Sequence, residues 1–142
     1  MAGETTSLSA TAWQDANVIP AFKGPTLHIH EVSVTYSATN QLELNDVMEV
    51  CYLPAGVKVW GIGYYATDMD TNVSPALAQK ITIGSTDVVT GIADGRAGSS
   101  SYYPLATPIT TTDYTLVKIT NTAASATAAT GSAKVRFYYT AP

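Results

Sequence analysis

Between Val50 and Tyr65 the chain reads VCYLPAGVKVWGIGYY, two short apolar runs joined by Pro54-Ala55-Gly56. Runs of this length, rich in β-branched and aromatic residues and bounded by a turn signal, predict strands and leave no room for a helix. Pro54 has no N–H to give to a ladder, and Gly56 offers the backbone freedom that a reversal needs. The first run begins upstream in LNDVMEVCYL, where Val47, Cys51 and Leu53 fall on one parity and Met48, Val50 and Tyr52 on the other. Apolar residues on both parities predict a strand covered on both faces. In the second run Gly61 and Gly63 share one face, on which another segment is able to approach closely.

The same texture runs through most of the chain. In LHIHEVSVTY, residues 27 to 36, the apolar positions are 27 and 29, then 32, 34 and 36, a change of phase near His30 and Glu31 that predicts a bulge. SATNQ, residues 37 to 41, reads as a turn. QKITIGSTDVVTGI predicts two strands around Ile81 and Val88 separated by Gly-Ser-Thr-Asp, and YTLVKIT and AKVRFYYT predict two more, joined by the bland NTAASATAATGS. ADGRAGSSSYYPLATP, residues 93 to 108, has the composition of a loop, although Tyr102 and Tyr103 within it need shelter. No segment of ten or more residues shows a 3.6 period with caps, and SPALAQ has room for one turn at most. Short strands at this spacing predict an all-β, antiparallel sandwich over residues 27–142. Residues 1–26 lack sustained periodicity, are stiffened by Pro20 and Pro25, and read as an extended N-terminal arm.

Composition narrows the function. The chain has 142 residues, of which 13% are charged and 46% hydrophobic, and its formal net charge is -4. Charged residues at about half the usual quarter leave a neutral, hydroxyl-rich surface with no basic footprint for a phosphate backbone, so nucleic acid is excluded as a partner. No run of about 18 apolar residues spans a membrane, and the leading MAGETTSLSATAWQ lacks the charged and apolar regions of a secretory signal. The expectation is a soluble protein made in a cytoplasm. Its single cysteine, Cys51, sits in an apolar run and reads as a small buried hydrophobe.

Chemistry is scarce. His28-x-His30 beside Glu31 places two imidazoles on one face of a strand, as in the first motif of cupin metal sites, yet there is no third histidine. These histidines are therefore expected at a surface or interface, with no metal and no cofactor. Asp68 and Asp70 lack the rest of a calcium loop and are expected to bond turn backbone. No nucleophile elbow or phosphate-cradling loop is present, so no catalytic residue is assigned and no enzyme is expected. Nine tyrosines against two phenylalanines are the unusual balance. Tyrosine tolerates half-burial with a wet hydroxyl. The doublets Tyr64-Tyr65, Tyr102-Tyr103 and Tyr138-Tyr139 fit either the rims of a core or a surface that meets proteins or stacks on sugars. In the arm, Trp13 and Phe22 are the candidate partner-binding residues, because large apolar side chains there have no local core.

The segment ELNDVMEVCYLPAGVKVWGIGYYATDMD followed by KITIGSTD carries a resemblance. A strand entering Leu-Pro-Ala-Gly-Val-Lys-Val, then a strand, an acidic loop and an Ile-Gly strand, resembles the decoration or cement proteins on the heads of tailed bacteriophages. The likeness covers roughly residues 42–87 and transfers no binding residues. It implies a jelly-roll-like sandwich without catalysis, binding as oligomers, often trimers, to the major capsid protein on the outside of the virion. Low charge and an arm that orders on binding suit such a role. The rival reading is a carbohydrate- or receptor-binding module of a tail or spike; a cupin-like metal enzyme is a third.

Overall fold

The computed structural model of the chain describes Gly3, Thr5, Thr6 and residues 27–141. The strands are β1 (Thr5–Thr6), β2 (His28–Tyr36), β3 (Val47–Leu53), β4 (Lys58–Ala66), β5 (Ala78–Ile83), β6 (Thr86–Ile92), β7 (Ser99–Thr110), β8 (Thr115–Ala123) and β9 (Gly131–Thr140). A 3-10 turn, Asp94–Arg96, precedes β7. One sheet runs β1-β3-β8-β5-β6 and the other β2-β9-β4-β7. Thr5 and Thr6 pair parallel to Val47 and Met48, and every other neighbouring pair is antiparallel. Among β2 to β9 only β5 and β6 form a hairpin; every other connection passes from one sheet to the other. The interleaved orders 3-8-5-6 and 2-9-4-7 are those of a jelly roll, an all-β antiparallel sandwich.

The crossing pattern explains the Pro-Ala-Gly segment. Leu53 ends β3 in one sheet and Lys58 begins β4 in the other, so the reversal is a corner between layers. Gly56 holds φ at 85°, where a side chain would be strained, and its N–H donates to Thr111 O at 2.8 Å. The buried Thr111 hydroxyl fixes the other side: it donates to Pro54 O at 2.6 Å and accepts from Val57 N–H at 3.1 Å.

Between the layers lie Val32, Val34 and Tyr36 of β2, Ile62 and Tyr64 of β4, Val135 and Phe137 of β9, and opposite them Val50, Cys51, Leu53, Ile81, Val117 and Ile119. Each such apolar side chain contributes about 1.5–3 kcal/mol on burial. The interior also holds a polar chain. Tyr64 Oη donates to Gln79 Oε1 at 2.6 Å, while Gln79 Nε2 donates to Asn121 Oδ1 at 3.0 Å and Tyr36 Oη at 3.3 Å. Burial pushes both tyrosine hydroxyls well above their ordinary pKa, so they stay protonated and able to donate.

Four expectations are corrected. β2 pairs with β9 in unbroken register from His28 opposite Tyr139 to Tyr36 opposite Gly131, so there is no bulge at His30 and Glu31. Even positions face inward throughout, and the apparent phase change arises because Leu27 and Ile29 are apolar residues left on the outside, Ile29 being 60% exposed. The bulge lies instead in β3, where the register shifts between Glu49 and Cys51 and turns Val50 and Cys51 both inward. That shift, and not coverage on two faces, puts apolar residues on both parities. Of residues 93–108, expected as loop, those from Ser99 onward belong to the twelve-residue β7, which runs on to Thr110. β7 is the edge of its sheet, which is where Pro104 and Pro108 are tolerated. The turn expected at 37–41 also runs on to Asp46, tucking Leu42 into the core.

Candidate functional site

Strand parity decides what the tyrosine doublets do. Successive side chains on a strand point to opposite faces, so each doublet splits. Tyr64, Tyr103 and Tyr139 turn inward, Tyr103 donating to buried Asp94 at 2.9 Å. Tyr65, Tyr102 and Tyr138 turn outward, and because β7, β4 and β9 are neighbours, the outward members share one face. Tyr102 is 54% exposed and Tyr65 43%.

The register lays this face out in rows. Ile29, Tyr138, Gly61 and Pro104 form one; Glu31, Arg136, Gly63 and Tyr102 the next; Ser33, Lys134, Tyr65 and Ser100 the third. The glycines on β4 leave a gap in the middle of the first two rows, and the flanking tyrosines lean diagonally into it. Tyr102 lies over Gly61, so closely that any side chain at 61 would collide with its ring, and Tyr138 rests beside Gly63. The two rings meet edge to face at 5.0 Å and 83°. A register shift between Val59 and Gly61 adds Trp60 to the same face. There its indole N–H donates to Thr140 Oγ1 at 3.1 Å and Lys58 Nζ lies 4.4 Å from the ring centre.

Polar groups border the rings. Arg136 donates from Nε and Nη2 to a single oxygen of Glu31, Oε2, at 3.2 and 2.8 Å. Lys134 Nζ stands 5.7 Å from the Tyr65 ring. Together these groups enclose a shallow depression of about 420 Å³. Its tyrosines and glycines were readable in the sequence; Arg136, Lys134 and Ser100 were not singled out there. What would have found them is the pairing of β9 with β4 and β7 with β4, which no local pattern discloses.

The other candidate residues lie elsewhere. Trp13 and Phe22 fall outside the described residues. Of the proposed arm, the described residues are Gly3, Thr5 and Thr6, the last two laid along the edge of β3. His28 and His30 sit half-buried on the inner side of β2, the His28 ring 5.6 Å from Tyr139, and burial lowers the pKa of His30. Glu31 points to the opposite face, so the His-x-His-Glu cluster divides between two sides of the sheet. Among the described residues no three His, Cys, Asp or Glu side chains converge as metal ligands. Asp68 and Asp70 do bond turn backbone, Asp68 Oδ1 accepting from Asp70 N–H at 3.1 Å.

No family model matches the sequence, and no curated protein does. Solved structures do match. A chain of the capsid asymmetric unit of cyanophage Pam1 is 25% identical, with a TM-score of 0.73 over 95% of this chain and 100% of that one. A chain of the capsid of Ralstonia phage GP4 is 18% identical, with a TM-score of 0.80 over 91% of this chain and 94% of that one. The fold is thus shared, over 91–95% of this chain, with chains of two phage capsids, well beyond residues 42–87. That likeness supports a structural role in a virion.

Proposed function

We propose that this chain is a decoration, or cement, protein of a bacteriophage head: a non-enzymatic jelly roll that sits on the outer surface of the capsid and braces the major capsid protein. The observation that carries the reading is the match along nearly the full length of both chains to a member of the cyanophage Pam1 capsid, at 25% identity. The sandwich offers its surface as its instrument, and the chain is sparing in charge, with 13% charged residues. Residues 1–26 are the proposed arm and residues 27–142 the sandwich. Thr5 and Thr6 lie as a parallel strand along the edge of β3 of the same chain, which ties the start of the proposed arm to the sandwich. Trp13 and Phe22 are its proposed anchors on the capsid, and self-association as a trimer multiplies each weak contact.

The test uses capsids stripped of this protein. Full-length chain is expected to co-sediment with them at a fixed ratio to the major capsid protein, and a chain lacking residues 1–22, or carrying Trp13→Ala and Phe22→Ala, to bind much more weakly. Undiminished binding by the truncated chain removes the arm from the account. Failure of the full chain to bind removes the cement role.

A further inference from the structure

We propose that the outer face of the β2-β9-β4-β7 sheet binds a saccharide, seated in the depression walled by Tyr102 and Tyr138 and bordered by Tyr65, Ser100, Arg136 and Glu31. The inference does not depend on the cement role; it rests on how this one face is built.

An exposed ring over a glycine is held in place by the backbone beneath it. Tyr102 and Tyr138 reach across β4 onto Gly61 and Gly63, and their edge-to-face contact at 5.0 Å fixes one ring against the other. More than half of Tyr102 nonetheless remains open to water. An immobilised aromatic surface of this kind loses little conformational freedom on binding, and its negative face suits the weakly positive C–H groups of a pyranose.

The border supplies the polar half of the recognition. Arg136 and Glu31 hold each other through Nε, Nη2 and Oε2, Arg136 also interacts with the Tyr138 side chain, and Glu31 Oε1 takes no part in the ion pair. A carboxylate acceptor is thus presented beside the guanidinium and the ring, and a sugar hydroxyl satisfies it. Ser100, exposed on the far side of Tyr65, adds a hydroxyl that is both donor and acceptor.

Other ligand classes fit less well. A wholly apolar molecule would strip water from the ion pair and the hydroxyls and return nothing. A nucleic acid would meet Lys58, Lys134 and Arg136 against Glu31 on a chain of net charge -4. A second copy of the chain would instead show as self-association that Tyr102→Ala dissolves. The volume of about 420 Å³ falls at the small end of ligand sites.

The experiment is saturation-transfer NMR on the full chain with a panel of free di- and trisaccharides built from glucose, galactose, N-acetylhexosamine and uronic acid, at about 10 mM to suit a weak site. At least one is expected to receive transfer. Tyr102→Ala and Tyr138→Ala should each weaken its binding by roughly three- to tenfold, the worth of one ring contact. Tyr102→Phe should retain it, because the ring and not the hydroxyl does the stacking. Should either alanine variant fail to give the circular dichroism of the parent, Ser100→Trp serves instead, filling the basin from its exposed rim. Absence of transfer to every sugar overturns the proposal, as does transfer that survives these substitutions. A Tyr102→Ala change that binds sugar unaltered but dissolves a self-associated form would assign the face to a second copy and also overturn it. Co-sedimentation of the same variants with capsids keeps this result separate from the cement role, since either is able to fail alone.

Discussion

Asp70 shows how one carboxylate organises a sandwich end. It is 1% exposed and accepts backbone N–H bonds from Ala76 and Leu77 at 2.7 and 3.0 Å, from Ala126 and Thr127 at 3.0 and 2.9 Å, and from Asn72 at 3.4 Å. Two loops far apart in sequence are thereby tied to a single side chain. Burial by itself would raise the pKa of this group, but the backbone donors outweigh it and hold the carboxyl well below the usual carboxylate range. The consequence for stability follows from linkage. An unfolded aspartate titrates near 3.9, so the native state's preference for the anion is fully present above that pH and is lost as pH falls toward the depressed native value. Asp70→Asn, which keeps one acceptor oxygen and loses the charge, is expected to lower the unfolding free energy at pH 7 by about 2–3 kcal/mol. The same substitution should flatten the fall in unfolding free energy between about pH 5 and 2. Urea unfolding at a series of pH values checks both; an unchanged acid slope would show that other carboxylates govern it. The sequence pointed to backbone bonding by this aspartate from its place in Asp68-Met69-Asp70, but the Ala126 and Thr127 partners lie 56 and 57 residues away and have no local signature.

Elements were legible where local chemistry and tertiary role agree. β4, β5, β6, β8 and β9 carry alternation or turn signals that survive in the fold, and Gly56 marks a true break because its φ of 85° admits little else. The corner it forms is held by Thr111, a residue without any distinguishing local context. Thr111→Val keeps the shape, removes the donor to Pro54 O and the acceptor for Val57 N–H, and leaves both buried or half-buried groups to find other partners. A loss of about 1–3 kcal/mol is expected in chemical denaturation, with the slope unchanged. A variant as stable as the parent would show that the Gly56 and Thr111 backbone bonds hold the corner unaided. Where the reading failed, one physical fact was missing each time. β7 looks like a loop because two prolines and three serines give it poor strand composition, and only its position at an edge makes that composition acceptable. In β2 and β3 the bulge was assigned to the wrong strand, because an exposed Ile29 and a bulged Val50 produce the same disturbance of a period-two pattern. The tyrosine face was half legible for a related reason. The doublets announce that one ring of each must face outward, whereas their convergence depends on which strands are neighbours.

At the scale of the whole molecule, a jelly roll is assembled from distant pairs. β2 joins β9, β3 joins β8, and both sheets close only when the chain's two ends have met. Contacts this far apart in sequence make folding slow and the native state cooperative. Cys51 offers a direct test of that cooperativity. It lies at the β3 bulge with no exposed surface, and burial pushes its thiol far above the ordinary range, so the thiolate that reacts is suppressed twice over, by access and by ionisation. If the sandwich opens as one unit, an uncharged thiol reagent reaches Cys51 only through global unfolding. Labelling at rising urea concentrations below the transition should then accelerate with the full slope of equilibrium unfolding, and Phe137→Ala, which empties a fully buried site in the facing sheet, should speed it by roughly two orders of magnitude or more through a loss of about 3–5 kcal/mol. A labelling rate indifferent to urea and to Phe137→Ala would mean that the bulge opens by itself, and that the β3 edge, where Thr5 and Thr6 are laid on, breathes independently of the body it belongs to.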